Sequence, residues 1–139
     1  LEKQFRRYFS IADRGKGITG ENLLQILETR LDNVIYRLGF AASRQAARQL
    51  VRHRHFTING RIVDIPSYNV KVDDVIQVRE KSRKLDAIHS SLRRVKEGKL
   101  LPWLSLDKAT MSGQILEIPS RADIPINVNE SLIVELYSK

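Results

Sequence analysis

Apolar residues recur at helical spacing through the first half of this chain and give way to short alternating runs in the second. Leu1, Phe5, Tyr8, Phe9 and Ala12 share one helical face, while Lys3, Arg6 and Arg7 take the others, until Gly15 and Gly17 end the pattern. A second helix is expected from Thr19, an N-cap residue with Ile18 and Leu23 placed as a hydrophobic staple. Its stripe is Leu23, Leu24, Leu27 and Leu31. Leu31, Val34, Ile35 and Leu38 then repeat the i, i+3, i+4, i+7 spacing as far as Gly39. Ser43 is placed to cap a helix from Arg44 to about Arg52, with Ala46, Ala47, Leu50 and Val51 facing inward.

From Phe56 the period changes. Phe56-Thr57-Ile58, Asn59-Gly60 and Arg61-Ile62-Val63 read as strand, turn and strand, because Asn and Gly both tolerate positive φ. Beyond Pro66, Tyr68 to Val72 reads as a loop or edge strand, and Asp73-Asp74 turns the chain into a strand from Val75 to Arg79. A basic amphipathic helix is expected from Ser82, with Leu85, Ile88, Leu92 and Val95 inward and Gly98 at its end. Trp103 to Leu106 and Gln114 to Ile118 read as two more strands around a polar turn containing Gly113. Pro119 and Pro125 bracket a loop, and Asn129 to Tyr137 is a short terminal element. The expected fold class is α+β: three helices packed on a small five-stranded, mainly antiparallel sheet over 30–119. A small helical subdomain is expected from 1–29, completed by 120–139.

Composition narrows the function. The 139 residues, 42% hydrophobic and 29% charged, suit a globular protein able to bury a core. A net charge of +8 calls for a polyanionic partner, nucleic acid first and an anionic membrane second. No apolar run is long enough to span a bilayer, and no signal peptide is visible. Without cysteine there are no disulfides and no thiolate metal sites in this chain, which suits a cytosolic protein. The opening on Leu1, in mid-helix, reads as a fragment.

The positive charge is concentrated. Between Asn33 and Val63 lie Arg37, Arg44, Arg48, Arg52, Arg54 and Arg61, with His53 and His55, and no Asp or Glu. All sixteen carboxylates fall elsewhere. A guanidinium fork pairs phosphate oxygens two at a time, so a folded, acid-free arginine window is the footprint of a phosphate-binding surface. Arg44, Arg48 and Arg52 are four residues apart and so share one flank of their helix. Two short helices joined by a tight glycine-containing turn also resemble a helix-turn-helix in outline, in which case Gln45, Gln49 and nearby arginines would reach DNA base edges. Tyr68, in a polar loop, is the candidate for base stacking, whereas the aromatics of the first helix follow the apolar stripe. His53 and His55 stand beside arginines that repel a cation and His89 is remote, so no metal site or cofactor is expected. Neither a Ser/His/Asp constellation nor a phosphate-cradling glycine loop occurs.

Longer stretches then become recognisable. Arg30-Leu31-Asp32-Asn33-Val34-Ile35-Tyr36-Arg37-Leu38-Gly39-Phe40, Ser43-Arg44-Gln45-Ala46-Ala47-Arg48-Gln49-Leu50-Val51 and Ile58-Asn59-Gly60-Arg61 closely resemble the small-subunit ribosomal protein S-four family. The wider RNA-binding module of that family covers only 30–78. Glu2-Lys3-Gln4-Phe5-Arg6-Arg7-Tyr8, Thr19-Gly20-Glu21-Asn22-Leu23-Leu24, Pro102-Trp103-Leu104 and Ile124-Pro125 through Glu135 extend the resemblance along the chain. It implies a non-catalytic protein of the bacterial or organellar ribosome that binds the 5′ region of small-subunit ribosomal RNA early in assembly. Neighbouring ribosomal proteins would be partners, in some members their own messenger RNA too. No membrane is implied, and the isolated chain is expected to be a monomer. The family's N-terminal segment, which in some members binds zinc through cysteines, is not in this chain.

The expected RNA contacts are therefore Arg6, Arg7, Arg14, Lys16, Arg37, Arg44, Arg48, Arg52, His53, Arg54, His55, Asn59, Arg61 and Tyr68. Arg30-Leu31-Asp32 also echoes the catalytic triplet of pseudouridine synthases, some of which carry the same module. Asp32 sits in the first turn of a helix, where a dipole or salt-bridge role is expected instead. An RNA-modifying enzyme would need a further catalytic domain, for which 139 residues leave no room.

Overall fold

The computed structural model describes residues 19–95 and 100–124. By its contacts the chain divides into two compact units, Leu1–Glu28 with Pro119–Lys139, and Thr29–Ile118. In the first, helix α1 (Thr19–Glu28) buries Leu23 and Leu24, and Arg121–Asp123 forms a single 3-10 turn. The apolar stripe read from Leu23 to Leu31 does not continue as one helix. Arg30 is extended (φ −61°, ψ 140°) and bridges to Asn69, so Leu31 opens a new helix. The first predicted helix, Ile18 of the staple, Gly98 and the terminal element at 129–137 lie outside the described residues.

The second unit is an α+β fold, as the periodicities predict. Helices α2 (Leu31–Leu38), α3 (Arg44–Arg52) and α4 (Asp86–Arg93) accompany β1 (Phe56–Ile58), β2 (Arg61–Ile62), β3 (Val75–Val78), β4 (Leu104–Asp107) and β5 (Ser112–Ile115). The strands form one antiparallel sheet in the order β2-β1-β3-β5-β4. Alternation along the strands sends Phe56, Ile58, Ile76, Val78, Leu104 and Ile115 into the core. There they meet Leu31, Val34, Ile35, Leu38 and Val51 of the helix pair, Ile88 and Leu92 of α4, and Trp103. Phe40, just past α2, tilts against Phe56 of β1 with ring centroids 5.7 Å apart.

The N-terminal amides of α2 show how the loop at 66–70 is held. Leu31 N–H donates to Tyr68 O (2.7 Å) and Asp32 N–H to Pro66 O (3.1 Å). Asn33 N–H donates to the Asp32 carboxylate (2.7 Å) and Val34 N–H to Arg30 O (2.9 Å). Leu31, Asp32 and Asn33, whose amides have no intrahelical partner, are thus satisfied, and Val34 N–H to Arg30 O is the first bond of the helix itself. The loop is a cap for α2 rather than an edge strand.

Three expected elements move. The helix read from Ser82 begins at Asp86, because Glu80–Ser82 makes a 3-10 turn and Ser82 is buried. The last two strands are Leu104–Asp107 and Ser112–Ile115, with their turn at 108–111 and Met111 in the left-handed region (φ 51°). Gly113 lies within β5, not in the turn. A Cβ there would stand 2.5 Å from Leu38 Cδ1, so the close approach of α2 to the sheet requires glycine. The second hairpin strand is Arg61–Ile62, and β3 ends at Val78, each one residue shorter than expected.

Candidate nucleic-acid interface

Helix α3 is amphipathic in the strict sense. Ser43 caps it, its Oγ accepting from Ala46 N–H at 3.0 Å, while Ala47 and Val51 are buried and Ala46 and Leu50 pack against the core. Arg44, Arg48 and Arg52 run along another flank at intervals of about 6 Å, four residues at 1.5 Å rise. They are not equivalent. Arg44 is exposed yet oriented: its Nε donates to Asn33 Oδ1 at 2.8 Å, and its guanidinium lies 4.9 Å from the Tyr36 ring centroid. The Arg37 guanidinium sits over the same ring at 5.7 Å. Arg48 is half-buried, its Nε enclosed without a hydrogen-bond partner, so the expected exposed flank is fully exposed only at Arg44 and Arg52. Among the described residues none of Arg44, Arg48, Arg52, Arg54 and Arg61 pairs with a carboxylate.

The corner between α3 and β1 continues the positive surface. Arg52, His53 and Arg54 are exposed there, and the His53 and His55 rings meet edge-on with centroids 6.2 Å apart. His55 Nδ1 and Ser82 Oγ are 2.8 Å apart. Arg79 N–H donates to His55 O (2.8 Å) and its guanidinium to Arg54 O (3.4 Å). Burial holds the His55 imidazole below its usual range, and the neighbouring His53 and Arg79 push it the same way. The local potential at this corner is positive.

Arg79 and the exposed Lys81, Arg83 and Lys84 were not singled out from the sequence. Their run carries only Glu80 against four cations, which is a usable charge signal. What hid its relevance is distance along the chain: only the pairing of β1 with β3 brings Arg79 beside His55.

The hairpin adopts the expected turn, with Asn59 at φ 51° and Gly60 at φ 85°. Pairing of Arg61 with Ile58 puts its side chain on the sheet face that carries the core, hence the face of the helices. Asn59, expected as an RNA contact, has its amide engaged within the fold. Its Oδ1 accepts from Val75 N–H (2.9 Å) and its Nδ2 donates to Asp74 Oδ1 (3.0 Å), so the amide joins the turn to β3. Tyr68 is half-buried against the core while its carbonyl caps α2. That packing leaves less of the ring for a base than an open polar loop would. Arg6, Arg7, Arg14 and Lys16 lie outside the described residues.

Asp32 is engaged as the helix-start reading expects. Arg30 Nε and Nη2 reach its two oxygens at 3.2 and 3.1 Å, and the carboxylate also takes Asn33 N–H. Among the described residues no group of three His, Asp or Glu could hold a metal ion, and no helix is long and apolar enough to cross a membrane.

Comparison with known proteins covers the residues that carry this surface. The S4 domain model matches residues 29–76, spanning α2, α3, the hairpin and the start of β3. The Ribosomal protein S4/S9 N-terminal domain model matches residues 1–28. Small ribosomal subunit protein uS4 of Geobacter sp. (strain M21) is 61% identical across all 139 residues, which span 67% of that relative. The chain belongs to the small ribosomal subunit protein uS4 family. Its counterparts in Parabacteroides distasonis and Acetivibrio thermocellus are 58% and 59% identical over the whole chain, covering 69% and 67% of their lengths. The family resemblance read from the residues is borne out.

Proposed function

We propose that the chain is a structural, non-catalytic component of the small ribosomal subunit that binds ribosomal RNA through the flank of α3 and the corner that follows it. One observation carries this reading. Three arginines at successive helical turns have no carboxylate partner among the described residues, and the first is pre-oriented by Asn33 and Tyr36. Orientation before binding reduces the side-chain entropy lost when a phosphate is engaged. Arg37, Arg44, Arg48, Arg52, His53, Arg54, His55 and Arg61 contribute from one continuous stretch, and Arg79, Lys81, Arg83 and Lys84 extend it. Arg6, Arg7, Arg14 and Lys16 are further RNA contacts.

Recognition is by shape and phosphate contacts at a multi-helix junction in the 5′ region, since the deep, narrow major groove of double-helical RNA hides its base edges. The protein acts early in small-subunit assembly, within the ribosome and beside other small-subunit proteins, and its own messenger RNA is a further candidate target. The isolated chain is a monomer. The α+β domain at 30–119 is the RNA-binding part, and 1–29 with 120–139 forms the helical subdomain.

The alternative of a DNA-reading helix-turn-helix is disfavoured by Arg44, which is held back towards α2 instead of projecting from the start of its helix. Binding of the full chain to a transcript of the 5′ region of small-subunit ribosomal RNA, titrated in salt against duplex DNA, tests both readings. About five to eight neutralised phosphates predict a log–log salt slope of roughly −4 to −7. A slope shallower than about −2, or equal affinity for duplex DNA, would overturn the proposal.

A further inference from the structure

Helices α2 and α3 end in the same way with different residues. At the end of α2, Gly39 N–H donates to Tyr36 O and Phe40 N–H to Ile35 O, both at 3.1 Å, with Gly39 at φ 95°. At the end of α3, Arg54 N–H donates to Val51 O (3.0 Å) and His55 N–H to Leu50 O (3.3 Å), with Arg54 at φ 65°. This paired closure needs one residue in the left-handed region, which glycine occupies freely and a residue with a Cβ occupies under strain. Arg54 therefore stands at a glycine position.

A second penalty falls on the same residue. Arg52, His53 and His55 surround it in sequence, and the Arg79 guanidinium reaches its carbonyl. No carboxylate among the described residues pairs with it, and its side chain is exposed. Backbone strain and charge repulsion both act against arginine at this site, and the described contacts of Arg54 repay neither. A polyanion laid across the corner would repay the second and make use of the side chain.

We propose that Arg54 is a dedicated contact to an RNA backbone phosphate, kept in a left-handed helix terminus at the expense of fold stability. It bridges the arginine flank of α3 and the Arg79–Lys84 run, so one strand of phosphates can pass from the first to the second. This rests on the reading above that the α3 flank faces RNA. Strain persisting at a residue the fold does not need is the physical signature of a site retained for binding.

The experiment compares the full chain with Arg54→Gly, Arg54→Asn and Arg54→Ala. Arg54→Gly is expected to raise the urea midpoint above the parent, and Arg54→Asn to raise it less, since asparagine tolerates the left-handed region only in part. Arg54→Ala keeps the strain but removes the repelled charge, so its midpoint is expected to rise by less than that of Arg54→Gly. Against the same ribosomal RNA transcript, all three should bind roughly three- to tenfold more weakly, with a salt slope about one unit shallower. Parental affinity and slope in Arg54→Gly would overturn the phosphate contact. A lower midpoint in Arg54→Gly would overturn the trade, because the guanidinium would then be stabilising the fold. The Arg44→Ala/Arg48→Ala double variant separates this from the broader reading: if it also binds like the parent, the α3 flank is not the RNA surface at all.

Discussion

Replacing Asn59 separates what holds the hairpin from what holds RNA. The Asn59 side chain makes two hydrogen bonds, from Val75 N–H and to the Asp74 carboxylate, and its backbone is left-handed at φ 51°. Asp74 is buried and also takes Lys71 N–H at 2.8 Å, so losing the amide strips one partner from an enclosed carboxylate. Each bond contributes about 1 kcal/mol net, and alanine in the left-handed region costs about another 1 kcal/mol relative to asparagine. Asn59→Ala should then destabilise by about 2–4 kcal/mol, whereas Asn59→Gly, free of the backbone term, should lose about 1–2 kcal/mol. For a domain of 60–100 residues, each kcal/mol moves the melting temperature by about 4–8 °C. Thermal unfolding followed by circular dichroism reads both values. RNA affinity, measured well below the melting temperatures, should stay within about twofold of the parent for Asn59→Gly, because the amide faces β3. Parental stability combined with a tenfold loss of RNA affinity would refute this and restore Asn59 to the contact surface.

Other expectations follow from single neighbours. Arg48→Met keeps the packed aliphatic stem and removes an enclosed Nε that has no partner, so stability should hold or rise by about 1 kcal/mol while RNA affinity falls. Gly113→Ala should cost about 1–3 kcal/mol through overpacking against Leu38, and combining it with Leu38→Ala should cost less than the sum of the two in urea melts. Because the folded His55 binds its proton less readily than the unfolded one, its contribution is fully present above pH 6.5 and is lost as pH falls through its depressed value. The urea midpoint should accordingly drop as pH falls below 6.5, and His55→Gln should flatten that slope.

Much of this protein was legible because the signal is local. The α2 and α3 stripes, the Ser43 cap and the Asn59-Gly60 turn each depend on residues within one or two turns of each other, and each is found. The acid-free arginine window is local too, and it falls within the family match at 29–76. Tertiary structure decided the rest, for a common reason: the partner lies far away in sequence. Gly113 reads as a turn residue until Leu38 is seen pressing on it. Asn59 reads as a polar tip until β3 supplies Val75 N–H and Asp74, and Arg44 as a free cation until α2 turns Asn33 and Tyr36 towards it. Arg79 joins His55, more than twenty residues earlier in the chain, only because β1 and β3 pair. Periodicity in a sequence reports which face a residue takes on its own element, since that follows from backbone geometry alone. Which side chain then meets it across the fold depends on sheet order and register, and those are settled by the packing of the whole core.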